Sequence, residues 1–130
     1  MVEFIIDEED KKRISRAVLS SLPEWFGIPE STEEYIAVSA GLPFWTVYAD
    51  GEPAGFLALR ETGPAAVEIF VMAVRKEYHR LGLGRALWLE CLKYAQKQGY
   101  QYMRIYIRYI GNNDLADGTV ITENQVFTFR

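Results

Sequence analysis

The chain has 130 residues, of which 49% are hydrophobic, 14% aromatic and 25% charged, enough for one folded domain with a sizeable core. Fourteen basic residues against 18 acidic ones give a formal net charge of -4, which argues against non-specific nucleic-acid binding. The single cysteine, Cys91, excludes an intrachain disulfide and a cysteine-rich zinc site, and its apolar neighbours predict a buried residue rather than a nucleophile. Because no apolar stretch reaches transmembrane length and the first ten residues do not resemble a secretory signal, we expect one cytoplasmic domain over 1–130 and no membrane partner.

Hydrophobic periodicity and turn signals predict an alternation of strands and helices. The predicted elements are a strand at 2–6, a helix at 7–21, a short helix from Ser31 or Thr32 to Gly41, strands at 44–49 and 54–60, a strand at 65–74, a helix at 84–98 and a strand at 101–107. Asp50-Gly51 predicts a hairpin between the second and third strands. The near-continuous apolar run at 65–74 predicts a strand covered on both faces. Together these elements predict an α/β or α+β fold around a mixed sheet.

Charge is unevenly distributed along the chain. Residues 1–43 contain nine acidic and four basic side chains, whereas 75–108 contain eight basic and two acidic ones. A positive segment inside an acidic protein suggests a small anionic ligand, although basic residues that only decorate a helix surface would give the same count.

The loop after the apolar strand carries the clearest chemical signal. It reads His79-Arg80-Leu81-Gly82-Leu83-Gly84, and its glycines lie at the predicted start of a helix. Glycines allow the backbone to approach a ligand closely, and a helix N-terminus favours an anion, so this loop suits a pyrophosphate. A dinucleotide fingerprint is disfavoured because Leu87 stands where a third glycine or alanine is needed, and no P-loop sequence occurs.

The loop and the order of elements resemble the GNAT acetyltransferase superfamily over about residues 2–107. That family has (Arg/Gln)-x-x-Gly-x-(Gly/Ala) opening a helix after a strand that ends in valine, and His79 here replaces the commoner Arg or Gln. The resemblance implies a mixed, mostly antiparallel sheet flanked by helices, with a cleft for acyl-CoA between splayed central strands. It also implies acetyl-CoA as the co-substrate, without a metal. The cofactor-binding residues it implies are Met72, Ala73, Val74, His79, Arg80, Leu81, Gly82, Leu83, Gly84 and Arg85.

The resemblance also suggests residues around the acceptor. Glu68 interrupts the apolar strand at the stretch where some family members carry a glutamate general base. The alternative is that Glu68 faces solvent or pairs with an arginine on a neighbouring strand, such as Arg60 or Arg104. Trp25 and Phe26 occupy the region that lines the acceptor site in the family, although a core role at a helix junction would explain them equally well.

Residues 108–130 depart from the family pattern. They contain no helix with an apolar stripe and at most one or two short strands at 119–129. Tyr106 and Tyr109 do not align with the tyrosine that often protonates the departing thiolate in the family. We therefore expect an atypical C-terminal tail over 108–130 that is naturally reduced, truncated or altered, or completed by a partner chain through strand exchange, as in a homodimer.

These observations favour an N-acetyltransferase that moves the acetyl group of acetyl-CoA to a primary amine by direct attack in a ternary complex. The acceptor would be a small molecule or a peptide, with Glu68 as the catalytic base. The main alternative is a catalytically impaired CoA-binding or protein-interaction module with the same fold. A structural domain without a CoA site would require the glycine loop to be a coincidence.

Overall fold

The computed structural model describes residues 1–23, 26–105 and 125–128. The strands are β1 (Val2–Ile5), β2 (Phe44–Ala49), β3 (Glu52–Gly63), β4 (Ala66–Val74), β5 (Tyr102–Ile105) and β6 (Gln125–Thr128). The helices are α1 (Glu8–Ser20), α2 (Pro29–Ser39) and α3 (Leu83–Lys97), with a 3-10 turn at Lys76–Tyr78. The strands form one sheet in the order β1-β2-β3-β4-β5-β6, in which only the β4–β5 pair is parallel.

The first two helices begin for different reasons. The side chain of Asp7 caps α1 by accepting a hydrogen bond from the backbone N–H of Asp10 at 3.3 Å. Helix α2 begins at Pro29, so the predicted cap at Ser31 or Thr32 is wrong. The fixed φ of proline suits the first helical position, and the Thr32 hydroxyl instead donates to the Phe26 carbonyl at 2.8 Å.

The helices cover both faces of the sheet and create two cores. The α1/α2 core consists of buried residues of α1, α2 and the central strands: Ile14, Val18, Leu19, Leu22, Ile36, Phe44, Phe56, Ala58, Val71 and Ala73. The α3 core lies on the opposite face and consists of Trp45, Val47, Ala54, Leu57, Leu59, Val67, Ile69, Val74, Leu87, Cys91, Ala95 and Met103. Strand β4 contributes to both cores, as its continuous apolar sequence predicts.

A β-bulge interrupts β4 at Phe70. Ala58 of β3 pairs with Val71, and the next residue, Leu59, pairs with Ile69, so Phe70 has no opposite residue on β3. Phe70 and Val71 consequently both pack on the α1/α2 core. The bulge shifts the alternation of side chains, so that Ile69 and Val74 face α3 although they are five positions apart.

The predicted mixed α/β architecture with a mostly antiparallel sheet is confirmed. The Asp50-Gly51 turn joins β2 to β3, and both of its residues have positive φ, 52° and 79°. The end of the predicted strand at 101–107 and the predicted tail up to residue 124 lie outside the described residues, and β6 lies in the predicted strand segment 119–129. None of the helices in the described part of the chain is long and apolar enough to cross a membrane.

Candidate functional site

The glycine loop lies between the end of β4 and the start of α3. After the 3-10 turn, Arg80 has a φ of 67° and Gly82 has a φ of 78°, both in the left-handed region. Arg80 bears a strain of about 1 kcal/mol there, since a side chain disfavours this conformation. Gly82 is the N-cap of α3 and has no side chain to accept from the first-turn N–H groups, which have no partners within the helix. A Cβ on Gly82 would have no heavy atom within 4 Å, so space is open in front of this backbone.

Three contacts hold this loop in place. The backbone N–H of Arg75 donates to the Ala54 carbonyl, and its Nε donates to the Pro53 carbonyl, each at 2.7 Å. The Tyr78 hydroxyl donates to Asp50 at 3.1 Å, and desolvation together with that carboxylate raises the pKa of Tyr78. The loop is thereby fixed to the β2–β3 hairpin.

His79 bridges the loop to the last residue of β4. Its Nε2 lies 2.7 Å from the Val74 carbonyl oxygen. Because a carbonyl oxygen can only accept, Nε2 must carry the hydrogen, which assigns the tautomer of the neutral ring. The His79 side chain therefore stabilises the loop by connecting it to the end of β4, a role that could not be predicted from the sequence.

Glu68 is buried and paired with Arg60. Its side chain is 10% exposed, and Arg60, directly opposite on β3, donates from Nε to Oε1 at 2.8 Å and from a terminal nitrogen to the same oxygen. The Arg60 guanidinium also lies over the Phe70 ring, with its central carbon 4.7 Å from the ring centroid. The ion pair with a neighbouring strand is the alternative that the sequence left open for Glu68.

Partly buried aromatic side chains continue from Arg60 toward α2. The Phe70 and Tyr35 ring centroids lie 5.5 Å apart, and the Tyr35 and Phe26 centroids lie 5.7 Å apart. We call these three residues the aromatic wall. Phe26 also packs at the margin of the α1/α2 core, so both of its predicted roles are compatible with its position, whereas Trp25 lies outside the described residues.

Tyr35 and Phe70 were not predicted as members of this surface. Phe70 follows Glu68 by two positions, so strand alternation alone would have put both on one face. Tyr35 carried no such signal, because its approach to Phe70 depends on how α2 lies on the sheet.

The predicted pantetheine segment is the end of β4 beyond the bulge. Met72 is partly exposed on the α3 face, whereas Ala73 and Val74 are buried. On one side this segment pairs with β3, and the described residues of β5 pair with Ala66–Ile69. The predicted splay would lie beside residues after 105, outside the described part of the chain.

Two other features of the described residues bear on the chemistry. Cys91 is fully buried in the α3 core, as predicted, and burial raises the pKa of its thiol. Within 1–23, 26–105 and 125–128, no three His, Cys, Asp or Glu side chains come together in a way that could hold a metal ion.

The fold and the glycine loop define a class of protein with a mixed sheet and a glycine-bearing turn between its central strand β4 and the helix that follows. A sequence profile of the acetyltransferase (GNAT) family matches residues 9–116. The chain therefore belongs to the GNAT acetyltransferase family, as its loop and element order predict. A search of curated proteins gives no match.

Several solved structures have the same fold as this chain. An IAA acetyltransferase from Bacillus cereus superposes with a TM-score of 0.65 at 22% identity, covering 81% of this chain and 63% of the Bacillus chain. The ribosomal-protein-S18-alanine N-acetyltransferase from Escherichia coli gives a TM-score of 0.67 at 21% identity, over 83% and 68% of the two chains. The PaiA N-acetyltransferase from Thermoplasma acidophilum, in complex with coenzyme A, gives 0.62 at 21% identity, over 82% and 79%. This chain thus spans less than two thirds of the Bacillus protein, and at these identities the likeness is one of fold.

Proposed function

We propose that the protein is an N-acetyltransferase that transfers the acetyl group of acetyl-CoA to a primary amine within a ternary complex. The observation that carries this proposal is the loop 79–85 of a GNAT family member, with its left-handed Gly82 at the start of α3. We propose that this enzyme is cytoplasmic and acts on a small molecule or a peptide. We also propose that it forms a homodimer through strand exchange.

The loop would hold the pyrophosphate of acetyl-CoA. Gly82 leaves open space before the backbone, and the helix dipole of α3 favours negative charge at this end. Arg80 and Arg85 are exposed on the same turn and add formal positive charge. The strained φ of Arg80 supports a functional role, because backbone strain of this kind persists where the surrounding structure requires it. Since His79 Nε2 is engaged by Val74, a ligand would meet the His79 ring at Nδ1.

The pantetheine arm would run along Met72, Ala73 and Val74. The bulge at Phe70 supports this placement, because a bulge re-aims backbone groups next to it. A backbone N–H near Met72 or Ala73 would donate to the thioester carbonyl and stabilise the negative charge that develops on its oxygen.

Glu68 would act as the general base. An amine reaches the site as an ammonium ion and must lose a proton before it can attack. Both Arg60 contacts fall on Oε1, so Oε2 is the oxygen that we assign to the proton, directly or through one water. A base of this kind contributes roughly 10²–10⁴-fold to rate in enzymes where it has been measured.

A second candidate is a CoA-binding or interaction module that does not turn over. The Arg60–Glu68 ion pair favours it, since one oxygen of the carboxylate is already occupied by the guanidinium and a pair between neighbouring strands also suits a purely structural role.

Calorimetric titration with acetyl-CoA tests the cofactor site. We expect saturable binding that is lost in Gly82→Trp, because a side chain there fills the open space and is strained at a φ of 78°. Gly99→Trp is the matched control. Gly99 ends α3 with a φ of 88° and equally open space, so it bears the same backbone strain at the other end of the helix.

Retained binding in Gly82→Trp, or equal loss in both variants, would contradict the assignment of the loop. Measuring release of the CoA thiol on addition of amines then distinguishes an acetyltransferase from a CoA-binding module without turnover. Binding of acetyl-CoA without release for any amine would favour the module.

A further inference from the structure

One row of charged side chains crosses three strands beside the aromatic wall. Glu68 of β4 is opposite Arg60 on β3 and opposite Arg104 on β5. Residues directly opposite one another in a sheet point to the same face, so all three side chains lie on the face that Phe70 also occupies. We call Arg60, Glu68 and Arg104 the charged row.

The charged row holds one more cation than anion. Arg60 and Glu68 form an ion pair, whereas the described part of the chain shows no salt bridge for Arg104, which is exposed. The nearest acidic neighbour along β3, Glu61, does not compensate. It is opposite Val67 on the α3 face and interacts electrostatically with Tyr100 there.

The charged row therefore offers a carboxylate that can bind an amine, and beside it a guanidinium that can bind an anion. Neighbouring strands lie about 4.8 Å apart, so Glu68 and Arg104 are one strand spacing from each other. A guanidinium group binds a carboxylate with two parallel hydrogen bonds. This geometry fits a small acid, whereas an ammonium group of a lysine binds a carboxylate only as a point charge. By contrast, a diamine would bring a second positive charge next to Arg104.

We propose that the acceptor is an amine that also carries a carboxylate, which Arg104 binds, with help from Arg60, while the amine meets Glu68. This inference rests on the proposed function and narrows its substrate class. With standard bond lengths, an extended 4-aminobutyrate places its nitrogen roughly 5 Å from its carboxylate carbon, close to the strand spacing. The aromatic wall closes the side of the site next to Phe70.

The reaction on this acceptor balances without a further reagent. The ammonium gives one proton to Glu68, and the neutral nitrogen attacks the thioester carbon. A C–N bond forms and the C–S bond breaks. Of the two protons left on the attacking nitrogen, one passes to the sulfur, so that CoA leaves as the thiol, and the other stays on the amide. Glu68 returns its proton to solvent.

Binding of reaction products tests the carboxylate contact independently of turnover. With the chain saturated with CoA, 4-acetamidobutyrate and N-butylacetamide are titrated separately and followed by backbone amide shifts in NMR. We expect the acid to bind about threefold to tenfold more tightly than the uncharged amide, the range for a partly exposed charge pair. We expect Arg104→Gln to abolish this preference. Arg13→Gln is the control, since Arg13 is an exposed arginine of α1 that pairs with Asp10.

Equal binding of the two products, or an unchanged preference in Arg104→Gln, would overturn the inference. Turnover of 4-aminobutyrate, butylamine and 1,4-diaminobutane tests the proposed function separately. Thiol release that is fastest with butylamine or the diamine would keep the acetyltransferase and overturn the carboxylate acceptor. A carboxylate preference in binding, without thiol release from any amine, would keep the anion contact and overturn the proposed turnover.

Discussion

Cys91 shows how burial decides the chemistry of a single residue. Its side chain is fully buried in the middle of α3, and desolvation raises the pKa of its thiol. A nucleophile or redox sensor needs an accessible thiolate, so Cys91 acts as a small apolar residue of the α3 core. The sequence predicted this because apolar residues flank Cys91 at helical spacing.

The raised pKa of Cys91 predicts a loss of stability at alkaline pH. The thiol stays neutral in the folded protein, whereas in the unfolded chain it ionises above its ordinary pKa of about 8.5. Stability is therefore lost as pH rises past that value, by about 2 kcal/mol at pH 10. Urea unfolding at pH 8 and pH 10 measures the change. Between pH 8 and pH 10, the free energy of unfolding of Cys91→Ala should fall by about 2 kcal/mol less than that of the unmodified protein. Equal losses in the two proteins would contradict the raised pKa of Cys91.

Glu68 marks how far the sequence could define the candidate site. One carboxylate in an apolar strand suggested a general base, a solvent-facing side chain or an ion pair, and the sequence named Arg60 as one of two candidate partners. It could not choose between them, because the choice depends on register and rotamer across three strands. The bulge at Phe70 was equally invisible, since an inserted residue leaves no compositional mark in a run that is apolar on both faces.

At the scale of elements, Gly55 sets how closely β3 approaches the end of β4. A Cβ at this position would lie 2.8 Å from the Ala73 carbonyl oxygen and 3.3 Å from the Val74 Cα. The carbonyl of Gly55 also accepts a hydrogen bond from the Thr46 hydroxyl at 2.7 Å. The small residue thus holds three strands together next to the proposed pantetheine segment.

Gly55→Ala is predicted to push β3 and β4 apart. Backbone atoms cannot yield as a flexible side chain does, so we expect a loss of about 1–3 kcal/mol in the free energy of unfolding, together with weaker acetyl-CoA binding. Thermal melts and calorimetry measure the two effects. Gly63→Ala is the control in the same strand, because a Cβ there meets nothing within 4 Å. If Gly55→Ala kept the stability and the acetyl-CoA affinity of the unmodified protein, β3 and β4 would be shown to accommodate a Cβ at this position.

Element boundaries followed from the sequence where one residue type decides them. The start of the first helix at Asp7 and the Asp50-Gly51 turn were both predicted, since each residue type provides a specific local geometry. The start of α2 was missed because Ser31 and Thr32 resemble N-caps. The helix instead begins at Pro29, which suits the first helical position, and the residue before it, Ile28, makes no side-chain capping hydrogen bond.

At the scale of the molecule, two cores share one sheet. Leu19 belongs to the α1/α2 core and Leu87 to the α3 core, and both are fully buried. Because β3 and β4 contribute to both cores, neither layer can lose its packing without disturbing the other. We expect Leu19→Ala and Leu87→Ala each to cost about 2–5 kcal/mol and to keep a single unfolding transition. Tryptophan fluorescence and far-UV circular dichroism in urea should give coincident curves, and two separated transitions would show that the layers are independent.

The order of the strands in the sheet repeats their order along the chain. Each strand pairs with the strand that precedes it in the sequence. Helices α1 and α2 lie between β1 and β2, and the parallel β4–β5 step passes through α3. The β2–β3 and β3–β4 pairings close short turns, and local pairings of this kind favour rapid folding. A nascent chain could therefore build this sheet one strand at a time as it leaves the ribosome. The ladder from β1 to β4 could form before the glycine loop and α3 have been synthesised.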